Sequence, residues 1–220
     1  MRLAPGRTLV FGAGGLGREM LSVLRDIAQA GHAADCVAFA VDPGLDAPDI
    51  VHGVPVRRDA GAMLRADPAL SVVVALGNPA LRAAVVARLH AEAGPRFATL
   101  LHPAAWIGQS VTIGAGSMVF GFTSATSDVR IGAHVLVNPG CTLAHDVVLE
   151  DFATLGPAVA LAGGVHLERG AEIGIGARVA PRLTIGRGAM VGAGAMVIRA
   201  VAAGVTVAGV PARPLEDRSA

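Results

Sequence analysis

His145 and Asp146 are the two neighbours in this 220-residue chain whose types fit proton transfer. An imidazole changes charge near neutral pH, so it can act as a general base, and a carboxylate beside it orients the ring and raises its basicity. The pair closes the stretch Asn138-Pro139-Gly140-Cys141-Thr142-Leu143-Ala144-His145-Asp146. On spacing alone, an ordinary surface histidine fits His145 equally well. Of the remaining histidines, His32, His52 and His90 read as solvated. His102 reads as packed before Pro103, and His134 and His166 as structural.

A second cluster could hold an anion. Gly12-Ala13-Gly14-Gly15-Leu16-Gly17 lies between an apolar strand predicted at Thr8–Phe11 and a helix predicted at Arg18–Ala30. That order brings backbone N–H groups and a helix N-terminus up to a phosphate. Asp42 ends a predicted strand, Cys36–Val41, where it could bond a ribose or a base. A third strand, Ser71–Leu76, leads through Gly77-Asn78-Pro79 into a helix from about Ala80 to Ala93. A dinucleotide normally spans two βαβαβ halves, and residues 1–100 make about one. The region therefore reads as a site for a nucleotide-linked substrate rather than for NAD. A glycine turn that binds nothing is the alternative.

The elements that carry His145 declare themselves by period. Every sixth residue from Ile107 to Val197 is Ile, Leu or Val, with Ala125 the exception, and the phase never slips. A period of six fits neither an amphipathic helix nor an alternating strand. It predicts a triangular coil in which each hexapeptide makes one flat side and one corner. Glycine often follows the aliphatic residue, as at Gly108, Gly114, Gly132, Gly156, Gly174, Gly186 and Gly192. There it is expected to relieve unusual backbone dihedrals. The fifth position is small or Val and should point inward. His145, third in its hexapeptide, should face outward.

Composition agrees with a repeat: 53% hydrophobic residues but only 3% aromatic, 29 glycines and no tyrosine. Net charge is +1 with no basic run, so no nucleic-acid partner is expected. Every basic residue is arginine, which excludes a lysine nucleophile. No segment approaches the ~20 apolar residues of a membrane helix. No signal peptide is read at the start, and a cytoplasmic location is expected. Cys36 and Cys141 read as buried thiols, with no disulfide or metal site.

The chain resembles, along nearly its whole length, the bacterial sialic-acid O-acetyltransferase and nucleotide-sugar N-acetyltransferase family. The resemblance rests on VFGAGGLGREML, FAVD, ALGNPALR, LHPAAWIG, NPGCTLAHDVVLEDF, ALAGGV and GVPARPL. It implies an N-terminal α/β Rossmann-like half domain (1–100) followed by a left-handed parallel β-helix of hexapeptide repeats (101–220), assembled as a homotrimer. It implies acetyl-CoA as co-substrate, His145 as general base and Asp146 as its partner. Gly14, Gly15, Leu16, Asp42 and Gly77 would line the nucleotide-sugar pocket, with Asn138 near the reacting centre. Acetyl-CoA would lie between subunits near Thr154, Gly163, Ile175 and Ala193. The chain departs from the family at two positions. Leu16 stands where the glycine loop often has histidine, and Thr154 where many members have a second histidine that contacts acetyl-CoA.

The reading that follows is acetyl transfer to an amino group of a nucleotide-linked amino sugar. O-acetylation of sialic acid or a related sugar is the alternative, because one base serves amine and hydroxyl alike. A γ-type carbonic anhydrase needs three histidines on zinc, and the spacing of His134 and His145 does not provide them. A non-catalytic sugar-nucleotide-binding trimer would have no use for the His145–Asp146 pair.

Overall fold

The computed structural model describes residues 5–215, arranged as two compact units. One runs to Pro103 and takes in Ala115–Ser117; the other comprises Ala104–Gly114 and Met118 onward.

The first unit is a six-stranded sheet carrying three helices. Its strands are β1 (Gly6–Phe11), β2 (Ala34–Ala40), β3 (Ile50–Val51), β4 (Val54–Arg57), β5 (Ser71–Val74) and β6 (Arg96–Phe97). The helices are α1 (Gly15–Gln29), α2 (Ala60–Ala66) and α3 (Pro79–Ala93). The order is β3-β4-β2-β1-β5-β6, parallel except for the β3–β4 hairpin. Leu9, Val10, Val72 and Val73 are fully buried, as expected for central strands. Helix α1 buries Met20, Leu21, Val23, Leu24 and Ile27, an apolar stripe at helical spacing.

Helix α1 starts three residues earlier than predicted, because the carbonyl of Gly14 already accepts the Arg18 N–H (3.1 Å) and closes a first turn. The strand order switches sides at β1 while the strands stay parallel. The connection after β1 leads to β2 on one side, and β5 lies on the other. Loops at the carboxyl ends of β1 and β5 therefore flank a topological switch point, the usual ligand crevice of an open α/β sheet.

The second unit is a stack of two-residue strands on three faces. Pairing is parallel and advances eighteen residues per coil, as in Ser124↔Thr142, Thr142↔Ala160, Ala160↔Arg178 and Arg178↔Met196. This is a left-handed β-helix. The aliphatic ladder is interior: Val137, Leu143, Leu155, Leu167, Ile173, Ile185 and Val191 are all fully buried. The fifth-position residues Val129, Val135, Cys141, Val147 and Val165 share that interior. Ile107 and Ile113, on the first coil, are half-buried. Past Val197 the register shortens: Ile185 bridges Val201 and Met190 pairs with Thr206. Thr206–Ala208 then pairs antiparallel with Arg213–Pro214.

The expected role of the glycines after the aliphatic station needs correcting. None of them has positive φ. The left-handed residues fall two positions later, at each corner from Gly116 to Gly194, and include Phe122, Asp128, His134, Asp146, Phe152, Ala158 and Arg182. Gly132, Gly156 and Gly174 are glycine for want of space. A Cβ there would lie 2.8 Å from Asp151 N, 2.7 Å from Ile175 N and 2.6 Å from Ala193 N respectively. Close stacking of successive coils selects glycine at those stations.

Candidate active site

His145 sits on a corner of the β-helix, clamped by its backbone from both sides. The Asp146 N–H donates to Ser127 O of the coil before (3.0 Å), and the Gly164 N–H donates to His145 O from the coil after (2.9 Å). Asp146 has φ of +61°, a conformation that Asp tolerates better than most residues. The tight turn brings its carboxylate back to the preceding ring, with Nδ1 of His145 2.7 Å from Oδ2 of Asp146. An ionised carboxylate only accepts, so Nδ1 carries the hydrogen, and in the neutral ring Nε2 then keeps its lone pair. Both side chains are exposed, at 69% and 64%, so the ring faces outward as its place in the hexapeptide predicts.

Nε2 lies against bare backbone. A Cβ on Gly163 would stand 2.6 Å from Nε2 and 2.5 Å from Cε1 of His145. Of the residues expected to bind acetyl-CoA, only Gly163 is next to the imidazole. Ile175 and Ala193 belong to another corner column, stacked through Gly176 N–H to Pro157 O and Gly194 N–H to Ile175 O (both 2.8 Å). The strand Ala160–Leu161 leads from the Pro157 corner to the Gly163 corner, so the two columns border one flat face. Ile175 is 56% exposed. Thr154 is only 6% exposed, in a row with Leu136 and Met118 of the two preceding coils. Asn138 uses its amide NH₂ to donate to Leu155 O (2.7 Å), which ties it into the next coil.

In the first unit, the glycines divide into two kinds. Gly12 has φ of +111°, and a Cβ there would be 2.7 Å from Ala75 O; a Cβ on Gly17 would overlap the Gly12 carbonyl. These two let strand, loop and helix pack together. Gly14, Gly15 and Gly77 face open space, where a Cβ would meet nothing within 4 Å. The first turn of α1 has no side-chain cap and no acidic residue, leaving its N–H groups and positive dipole end for an anion. Leu16 is half-buried in that turn. Asp42, just beyond β2, is ion-paired with Arg88 of α3, whose guanidinium also lies over the Phe11 ring at 5.5 Å.

Three arginines went unread in the sequence. Arg18 and Arg25 line a cleft of about 410 Å³ beside Gly15, with Ser22 and His52. Arg82 is fully buried under Gly77, and its signal was its place in ALGNPALR. Three of the other histidines have structural partners. His102 meets Asp26 (2.9 Å), His166 meets Glu150 (2.9 Å), and His134 stacks on Phe152 at 5.1 Å. Cys141 is buried and Cys36 half-buried. Desolvation pushes their thiols up, to about 11 and about 12. Among the described residues, no group of three or more His, Cys, Asp or Glu is placed to hold a metal ion. No helix among them is long and apolar enough to cross a membrane.

Residues 7–89 match the family described as PglD N-terminal domain. A mutant of perosamine N-acetyltransferase from Caulobacter crescentus, solved in complex with CoA and GDP-perosamine, is similar over nearly everything. It shares 33% identity and a TM-score of 0.86, across 99% of this chain and 100% of that one. WeeI from Acinetobacter baumannii AYE shares 34% identity with a TM-score of 0.84, over 94% of this chain and 99% of its own. The acetyltransferase domain of PglB from Neisseria gonorrhoeae, in complex with acetyl coenzyme A, shares 30% identity with a TM-score of 0.83. That match covers 95% of this chain and 98% of the other. No curated protein matches the sequence.

Proposed function

The chain belongs to the nucleotide-sugar N-acetyltransferase family and is an acetyl-CoA-dependent acyltransferase, and we propose that it acetylates the amino group of a nucleotide-linked amino sugar with His145 as the general base. The observation that carries the assignment of the base is the exposed His145–Asp146 pair. Asp146 engages Nδ1, Nε2 is left to accept a proton, and Gly163 leaves room beside it.

The reaction runs as follows. Nε2 takes a proton from the sugar amine as its nitrogen attacks the thioester carbonyl carbon of acetyl-CoA. Asp146 stabilises the imidazolium that forms. The tetrahedral intermediate then collapses, the C–S bond breaks, and the CoA thiolate leaves and is protonated by the imidazolium. No covalent enzyme intermediate is needed.

The sugar nucleotide is assigned to the first unit, its phosphates toward Gly14, Gly15 and Leu16, with Gly77 and Asp42 at the crevice edge. Support comes from the open space at the three glycines and the uncapped α1 N-terminus. Solved relatives bind CoA, acetyl-CoA and GDP-perosamine, which supports the same two ligand classes here. Acetyl-CoA is assigned to the β-helix face bordered by Gly163, Ile175 and Ala193. A homotrimer is part of the reading. It follows from the resemblance to the family, and Ile175, exposed beside the face assigned to acetyl-CoA, is an apolar side chain that a neighbouring subunit would cover.

The test is thiol release from acetyl-CoA with UDP-, dTDP- and GDP-linked 4-amino sugars, sialic acid and CMP-sialic acid as acceptors. Release with an amino-sugar nucleotide, lost in His145→Ala, is the expected result. Release only with sialic acid or its CMP form would overturn N-acetylation. Undiminished turnover in His145→Ala would overturn the base.

A further inference from the structure

A fully buried arginine with nothing to do at a surface sits directly beneath one wall of the nucleotide crevice. Arg82, in the first turn of α3, has no exposed area. Its Nη1 donates to two successive backbone carbonyls, Leu76 O at 2.6 Å and Gly77 O at 2.9 Å. Its own N–H donates to Asn78 O (3.0 Å), and the Asn78 side chain accepts the Leu81 N–H (3.0 Å). Leu76, Gly77 and Asn78 are thus each tied to the start of α3.

Taking a guanidinium out of water is costly unless its donors are satisfied, and a leucine would fill the space without that cost. The arginine does something a leucine cannot: it sets the orientation of consecutive peptide planes. In a trans peptide, C=O and N–H point in opposite directions. With the Gly77 carbonyl drawn inward to Arg82, the Asn78 N–H of the same peptide points away from it. Gly77 and Asn78 are exposed, and a Cβ on Gly77 would meet nothing. The buried cation also biases the local potential toward anions, most strongly where water is excluded.

We propose that Arg82 is the positioning residue of the nucleotide-sugar site: it holds the Leu76–Asn78 loop with backbone N–H turned toward the diphosphate of the substrate. This rests on the reading that Gly77 lines that site. Arg82 touches no ligand itself.

Calorimetric binding of GDP, UDP and dTDP to the full chain, with acetyl-CoA as control, tests it in three variants. Arg82→Met keeps the bulk and removes the donors. Arg82→Lys returns a cation but a single-point donor in place of a planar fork. Gly77→Val puts bulk into the open space. Expected is a rise of about tenfold or more in Kd for the nucleoside diphosphate that binds wild type in Arg82→Met, with partial recovery in Arg82→Lys. Acetyl-CoA affinity should stay unchanged in both. If Arg82→Met does not fold, Arg82→Lys decides alone, with about a threefold loss for the nucleotide and none for acetyl-CoA. Wild-type nucleotide affinity in a folded Arg82 variant, or equal loss of both ligands, overturns the positioning role. In that case Gly77→Val reports separately. If it weakens the nucleotide, the crevice assignment survives. If it does not, or if no diphosphate binds wild type, the crevice assignment falls and the positioning role with it.

Discussion

Gly163 stands where any side chain would strike the imidazole of His145: a Cβ there would lie 2.5 Å from Cε1 and 2.6 Å from Nε2. The two residues are eighteen apart, one coil above the other on the same corner, so the period that builds the fold also sets this contact. Gly163→Ala should therefore push the ring out of line without harming the core. The imidazole is exposed and can move, so the melting temperature should hold. Turnover should fall by roughly 10- to 100-fold, since about an ångström of misplacement costs that much in a positioned reaction. Gly163→Ala on top of His145→Ala should cost clearly less than it does in wild type, the remainder being its contact with acetyl-CoA. An additive loss would mean that Gly163 serves acetyl-CoA directly and not through the base.

His145→Ala should lower turnover by about 10²- to 10⁴-fold, the usual contribution of general acid–base catalysis. Its side chain is 69% exposed, so the melting temperature should be unchanged. Asp146→Asn keeps a residue type that accepts positive φ but no longer stabilises the imidazolium. It should fold normally and lose activity to a lesser degree. Asp146→Val would confuse the test, because a β-branched residue is strained at φ of +61°.

How much of this was legible in the sequence depends on whether the cause was local. The β-helix was, because one residue in six decides inside from outside, and Val137 through Val191 obey that rule in space as in sequence. So was the outward face of His145. The glycines after the aliphatic station were seen and misread. Their reason is the backbone of the next coil, eighteen residues away, which a six-residue window does not contain. In the first unit, the strand–glycine loop–helix order was plain. The Asp42–Arg88 pair and the burial of Arg82 under Gly77 arise from packing of α3 on the sheet, which no motif spells out.

The coil-stacking glycines can be tested against the corner glycines. Gly156→Ala places a methyl 2.7 Å from Ile175 N, between two backbones that cannot give way. It should destabilise by about 1–3 kcal/mol, the range for overpacking a closed interior. Gly176 has φ of +69° and open space, so Gly176→Asn should be nearly neutral while Gly176→Val is strained. Thermal unfolding of the three proteins decides. Equal melting points for Gly156→Ala and wild type would refute the stacking account.

The buried ladder predicts a harsher response. Leu155 has no exposed area, and its neighbours along the axis are Val137 and Ile173. Leu155→Ala should cost about 2–5 kcal/mol. Leu155→Asp should give no folded protein, because a carboxylate on the axis has neither water nor a partner. A soluble, cooperatively melting Leu155→Asp protein would mean that the coil interior is reached by water.

The thiols give a prediction in pH. Burial holds Cys141 neutral up to about 11 and Cys36 up to about 12, against an ordinary value of 9.0. The unfolded chain ionises first, so each thiol contributes its full stability below pH 9. That contribution is lost as pH rises through the folded value. The melting temperature should therefore decline between pH 9 and pH 11 more steeply in wild type than in Cys141→Ala. Because the thiolate is the reactive form, alkylation at pH 8 should be slow in the folded protein and fast in denaturant. Rapid labelling of Cys141 in the folded state would show that its corner opens, and with it the coil that carries His145.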